Sequence, residues 1–136
     1  MLKFAIAYAA TAVIFFACDF VWLSVMGNGF YRDRIGALML DKPNLAIAGL
    51  FYLVYVGGIV FLAVTPALAS GNWTTALLAG LVLGLVAYGT YDLTNLSTLR
   101  NWPVSVAIID LAWGTVLTAA AATGGLLVTR WLSPGQ

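Results

Sequence analysis

The chain has 136 residues, of which 62% are hydrophobic and only 8% charged, and its mean hydropathy is +0.99. Soluble domains carry about 25% charged residues, so this composition excludes an ordinary water-soluble globule. A formal net charge of +1 leaves no strongly basic surface of the kind that displaces counterions from nucleic acid. Nucleic acid is therefore not an expected partner.

Four segments are apolar enough to cross a membrane as helices, which takes about 20 residues each. In chain order they run approximately over residues 2–26, 44–69, 74–96 and 103–131. SGNW predicts a tight turn between the second and third spans, and Pro43 and Pro103 stand where the second and fourth begin, a position at which proline is tolerated. We predict an all-α fold: one transmembrane domain over residues 1–136 that forms a four-helix bundle in a lipid bilayer.

Two spans that cross in the same direction end in similar sequences. DFVWLS closes the first span and DLTNLS closes the third, and each precedes a proline-started span. This pattern suggests two helix pairs related by duplication, that is, a parallel repeat. The fourth span contains a related motif, because Trp113 follows Asp110 at the spacing at which Trp22 follows Asp19.

Several residue types that commonly carry chemistry are missing. The chain has no histidine and a single cysteine, Cys18, which excludes His-based catalysis, an intrachain disulfide and a thiolate cluster. No nucleophile–base pair and no metal-ligand spacing is recognisable. Whether the protein is an enzyme stays open, catalytic residues are unknown, and neither a metal nor another cofactor is expected.

Three aspartates lie within the predicted spans, towards the same end of the bundle. A rise of 1.5 Å per residue places Asp19 and Asp110 each roughly 10 Å inside that end, and Asp92 close to it. An acid within a membrane costs about 2.5–3.5 kcal/mol, so it normally faces protein or water. Tyr88 and Asn95 share a helix face with Asp92 because they lie four residues before and three after it.

These side chains predict a polar pocket that opens towards one side of the membrane. Its candidate ligand-binding residues are Asp19, Tyr88, Asp92, Asn95, Arg100, Asp110 and Trp113. The pocket hypothesis predicts that Asp92→Asn or Arg100→Ala empties the site while the bundle still folds. The structural alternative is that the acids only hold the four helices together through polar contacts.

Small and aromatic residues suggest how the helices pack. Gly80 and Gly84 form GLVLG, a spacing that allows close helix contact within the chain or between copies. Tyr52 and Tyr55 point either into the pocket or out to lipid. Four tryptophans near the span ends fit interfacial anchors: Trp22, Trp73, Trp102 and Trp131.

Basic residues are more numerous in the first and third connections than at the other side. The two groups are Arg32, Arg34, Lys42 and Arg100 on one side, and Lys3 and Arg130 on the other. The positive-inside rule then favours a cytoplasmic location for these two connections and places both termini outside.

The motifs DFVWL, GLFY, YDLTNLSTLRNWP and DLAWG, with YR in the first connection, resemble a family of small bacterial membrane proteins known only as a domain of unknown function. The resemblance covers essentially the whole chain. It implies a multi-pass protein of four helices in the bacterial inner membrane. It implies no catalytic or binding residue, because no activity is established for that family.

Three functions are compatible with these features. The first is a pocket that binds or processes an amphipathic, lipid-like small molecule. The second is a small proton-coupled transporter, since the layout resembles that of small multidrug-resistance transporters; such a protein would form a homodimer, with GLVLG as a candidate seam. The third is an assembly subunit that binds a membrane-protein partner.

Overall fold

The computed structural model describes residues 1–135, which form helices and no β-strand. The helices are α1 (Leu2–Met26), α2 (Arg32–Ile35), α3 (Leu45–Ile59), α4 (Thr65–Ser70), α5 (Trp73–Thr98) and α6 (Val104–Leu132). Four continuous helical segments have the length and hydropathy of membrane spans: Leu2–Leu38, Leu45–Ser70, Trp73–Thr98 and Val104–Leu132. The predicted all-α, four-helix fold is confirmed.

The first helical segment extends well beyond the predicted end near residue 26. A π-helical turn, Gly27–Tyr31, follows α1 directly and leads through α2 into a short 3-10 turn that ends at Leu38. A π turn inserts an extra residue into the helix and rotates the side chains that follow. Tyr31, its last residue, consequently faces the bundle and is only 8% exposed.

The second segment is interrupted in the same way. A π turn at Val60–Val64 joins α3 to α4, and Pro66 lies just beyond it. Proline has no N–H to donate to the carbonyl four residues earlier, and a π turn is one of the few ways in which a helix accommodates such a break. The segment therefore crosses as one helix despite the proline.

The connections on either side of α5 are short, and the first of them is specifically capped. Gly71 ends α4 with a φ of 72°, a conformation that glycine adopts without strain. The Asn72 side chain then accepts from the Thr74 backbone N–H at 3.0 Å and caps α5. At the other end of α5, the stretch YDLTNLSTLRNWP is helical up to Thr98 and turns before Pro103, the residue that immediately precedes α6.

Helix α6 lies at the centre of the bundle and packs on both α5 and α1. A Cβ atom on Gly80 would lie 2.7 Å from the Ala119 Cα, and one on Gly84 would lie 2.6 Å from the Gly114 carbonyl oxygen. On its other side, Gly125 lies against Thr11 of α1. The GLVLG row is therefore used for contact within the chain, so it is not available as a seam between copies.

The first half of α3 stands away from the other helices. Leu45, Ile47, Leu50 and Phe51 are each at least 60% exposed, whereas Val56 and Ile59 in the second half are fully buried. The second segment consequently contacts α5 mainly through the π turn Val60–Val64 and α4, at one end of the bundle. At the other end, which contains Asp19, Asp92 and Asp110, a lateral gap lies between α3 and α5; we refer to this end as the acidic end.

Two of the four predicted tryptophan anchors pack against other side chains. Trp73 and Trp131 are 48% and 78% exposed, as an interfacial position requires, but Trp102 is only 8% exposed. Trp22 is half-buried and stacks on Trp113. The anchor interpretation stays a prediction for Trp22, whereas the burial of Trp102 argues against it there.

Candidate functional site

Five side chains at the acidic end form one interhelical network. Trp113 Nε1 donates to Asp19 Oδ1 at 3.1 Å, and Trp22 Nε1 donates to the Tyr31 hydroxyl at 3.1 Å. That hydroxyl donates in turn to Asp110 Oδ1 at 2.7 Å. The two indole rings stack with their centroids 4.4 Å apart and their planes at 4°. The network fixes α1 and the π turn to α6.

The sequence accounts for this arrangement through two similar motifs. Asp19 and Trp22 are three residues apart on α1, and Asp110 and Trp113 are three apart on α6, so each pair lies on one helix face. The two helices run in opposite directions, which brings one pair opposite the other. Tyr31 joins the network only because the π turn rotates it towards α6.

Asp92 differs from the other two acids because the group it pairs with is another acid. Its side chain is 0% exposed, and its hydrogen-bonding partner is the carboxyl group of Asp110, on α6. Within the described residues, no N–H or hydroxyl group donates to either Asp92 oxygen. Two carboxyl groups share a hydrogen bond only when one of them carries the proton, so this buried acid pair stands out as a functional candidate.

A cavity of about 460 Å³ opens between α3 and α5 at the acidic end. Its volume falls in the range of about 300–1,000 Å³ that is typical of small-molecule sites. It is lined by Phe51, Tyr52 and Tyr55 of α3, by Ala87, Tyr88 and Tyr91 of α5, and by Asp110 of α6. The wall is thus mainly aromatic, and Asp110 is its one charged side chain.

The aromatic wall is held in place by contacts behind it. The Tyr55 and Thr118 hydroxyls lie 2.8 Å apart and share a hydrogen bond. The rings of Tyr55 and Tyr88 meet edge to face across the cavity, with centroids 6.2 Å apart. Phe15 of α1 packs against Tyr52 edge to face, with the ring centroids 5.2 Å apart. These contacts restrain the rings, so the cavity is preformed on the α3 side.

The structure brings most of the predicted site residues to one end but gives them different surroundings. Tyr88 and Asp110 line the cavity, whereas Asp19 and Trp113 belong to the interhelical network. Asp92 lies next to Asp110, and Asn95 is half-buried one turn further along α5. Arg100 is exposed in the turn before α6. Arg100 is not among the residues that line the cavity. Asp110 is the residue that joins the network to the cavity.

Several residues of this region were not among the predicted ligand-binding residues. Tyr31 and Trp22 belong to the network, and Phe51 and Tyr91 belong to the cavity wall. The spacing of Tyr88 and Tyr91 on α5 was a usable signal, because residues three apart share a helix face. Tyr31 had no such signal, since its direction depends on the π turn.

The arginines of the first connection do not reach the acids. Arg34 donates from Nε to Ser105 Oγ at 3.2 Å, and its guanidinium lies 4.0 Å from the centroid of the Phe30 ring. Over residues 1–135, no group of three or more His, Cys, Asp or Glu side chains is arranged to hold a metal ion. The donors that do meet the acids, Trp113 and Tyr31, are uncharged.

Comparison with known proteins gives one match. The family described as predicted membrane protein (DUF2177), whose function is unknown, matches residues 4–127. No curated protein and no solved structure matches the chain.

Proposed function

This chain belongs to the DUF2177 family of membrane proteins, and we propose that it binds an amphipathic small molecule within the bilayer, in the cavity between α3 and α5. The observation that carries the proposal is the cavity itself: about 460 Å³, walled by aromatic rings, with one carboxyl group at Asp110. Ligand sites are mostly apolar with a few convergent polar groups. The arrangement suits a molecule with a polar head and an apolar chain.

The position of the opening supports an approach from the membrane rather than from water. The gap lies between two spanning helices, and Phe51 of its wall is apolar and 60% exposed. A ligand dissolved in the lipid could enter sideways and leave its chain in the bilayer. Its head would then lie against Asp110 at the acidic end.

The pair of acids next to the cavity also supports binding rather than a purely structural role. A carboxyl group that only holds helices together should have N–H or hydroxyl donors, as Asp19 does. Among residues 1–135, the Asp92 side chain pairs only with the carboxyl group of Asp110. A pair of acids within a membrane is costly, and natural proteins retain unfavourable groups mainly where function requires them.

Native mass spectrometry of the protein released gently from membranes tests this proposal. We expect a discrete extra mass on the wild type, and its loss from Ala87→Phe, because the larger side chain fills the cavity. Ala112→Phe is the matched control, since Ala112 is an exposed alanine of α6 and its variant should keep the mass. A ligand-free wild type, or a mass that survives Ala87→Phe, contradicts the proposal. A co-purified second protein in its place would support the assembly function instead.

We further propose that the protein resides in the inner membrane of a bacterium with both termini outside the cytoplasm. The support is the excess of Arg and Lys in the first and third connections, which the positive-inside rule assigns to the cytoplasm. Alkaline phosphatase fused after the last residue should be active, because that enzyme needs a non-cytoplasmic location. An inactive fusion, with an active one placed in the first connection, reverses the orientation.

A further inference from the structure

We infer that the head group bound in this cavity carries a positive charge, as a lipophilic ammonium ion does. The inference rests on the proposed function, since it specifies the chemistry of the ligand in the same cavity. It starts from the charges that surround the cavity. Asp110 lines the wall and Asp92 lies next to it, so two acids meet at the place where a head group would lie.

Within residues 1–135, no positively charged side chain is in contact with these two acids. The Asp110 carboxyl group accepts from the neutral hydroxyl of Tyr31 and pairs with the carboxyl group of Asp92. The guanidinium group of Arg34 instead donates to the Ser105 hydroxyl and lies over the Phe30 ring. Acids within a membrane normally have a partner. A cationic ligand would therefore supply the positive charge that the protein does not place beside these acids.

The remaining wall is also suited to a cation. Tyr52, Tyr55, Tyr88 and Tyr91 and the ring of Phe51 surround the same space. Aromatic rings attract a cation through their negative faces, and cages of such rings recognise quaternary ammonium groups. An anionic head would instead meet the Asp110 carboxyl without a basic side chain to balance it, because Arg100 is exposed in the turn and outside the lining residues.

The experiment compares ligands that differ in charge but not in shape. The protein in a neutral maltoside detergent is titrated with dodecyltrimethylammonium and with its carbon isostere, in which a quaternary carbon replaces the nitrogen. Binding is followed by native mass spectrometry. We expect the cation to bind about tenfold more tightly or better, because desolvated cation–π contacts and a nearby carboxylate favour only the charged ligand.

Protein variants then locate the effect. Asp110→Asn should bring the affinity for the cation close to that for the isostere, while Asp33→Asn, which changes an exposed acid outside the cavity, should leave it unchanged. Dodecylphosphocholine, which bears the same ammonium group next to a phosphate, separates a free amine from a zwitterionic lipid. The inference requires the simple ammonium ligand to bind at least as tightly as this zwitterion.

Three results are decisive against the inference or its premise. Equal binding of the cation and the isostere overturns the charge inference but keeps the cavity as a ligand site. Tighter binding of dodecyl phosphate, lost in Arg100→Ala, overturns it in favour of an anionic head. Failure of all these amphiphiles to bind removes the proposed function itself. The ligand comparison uses the wild type, so it stands even if Asp110→Asn does not fold.

Discussion

The hydroxyl group of Tyr31 donates a hydrogen bond of 2.7 Å to Asp110, although the two residues are 79 positions apart in the chain. Tyr31 ends a π turn just after α1, and Asp110 lies on α6, where its carboxyl group also lines the cavity. The same contact thus connects the fold of the first span to the polar end of the candidate binding site. It sets the direction in which the Asp110 carboxyl group points.

Replacement of Tyr31 with phenylalanine should lower the free energy of unfolding by about 1–2 kcal/mol. The substitution keeps the ring but removes the donor to Asp110 and the acceptor for Trp22. Reversible unfolding in mixed detergent micelles measures the change. Tyr91→Phe is the control, because Tyr91 is 52% exposed and should change stability by less than about 0.5 kcal/mol. Equal losses in both variants would show that the Tyr31 hydroxyl does not stabilise the bundle.

Asp19 and Trp113 should prove energetically coupled. Their hydrogen bond joins α1 to α6 at 3.1 Å, and contacting residues typically show interaction energies of about 0.5–3 kcal/mol. A double-mutant cycle with Asp19→Ala and Trp113→Phe measures this coupling, because each variant removes one partner of the hydrogen bond. A parallel cycle with Trp131→Phe provides the control, since Trp131 is 78% exposed near the opposite end of α6 and its effect should be additive. Additivity in the first cycle would contradict the network.

Asp92→Asn should raise stability, whereas Asp19→Ala should lower it because alanine cannot accept the Trp113 hydrogen bond. Asp92 is a buried acid that no N–H or hydroxyl group reaches within residues 1–135, and a buried polar group without adequate donors costs about 1–3 kcal/mol. Its asparagine replacement is uncharged, and its amide can donate to the neighbouring Asp110 carboxylate. We therefore expect a gain of about 1–2 kcal/mol in the same unfolding assay. Asp33→Asn, at an exposed position, should have little effect. A loss of stability in Asp92→Asn would assign Asp92 a structural role.

Gly84→Ala should destabilise the bundle even though alanine is the better helix former by about 1 kcal/mol. The added Cβ would lie 2.6 Å from the Gly114 carbonyl oxygen and 2.8 Å from the Thr115 Cα, so α5 and α6 would have to separate. Overpacking of this kind costs about 1–3 kcal/mol. Gly58→Ala is the matched control, because no heavy atom lies within 4 Å of its added Cβ. A stabilised Gly84→Ala variant would contradict the close contact.

The sequence by itself determined the class of the protein and much of its framework. Long apolar runs and sparse charge are sufficient for four spanning helices, because the chain in lipid must satisfy its own backbone hydrogen bonds. Depth along each helix follows from a fixed rise per residue, which is why Asp19, Asp92 and Asp110 could be assigned to one end. The turn at Gly71 was also predictable, since glycine adopts positive φ freely.

Only the tertiary structure decided which neighbours each of these residues has. Helical periodicity places Tyr52 and Tyr55 on a face but does not say what that face meets, and in lipid both an inward and an outward aromatic face are acceptable. The GLVLG row likewise fits a contact with any helix, and the fold directs it to α6. The direction of Tyr31 depends on the π turn that follows α1, and its hydrogen bond to Asp110 joins two different spans. The group that each acid pairs with, Trp113 for Asp19 and the Asp110 carboxyl group for Asp92, therefore became visible only in three dimensions.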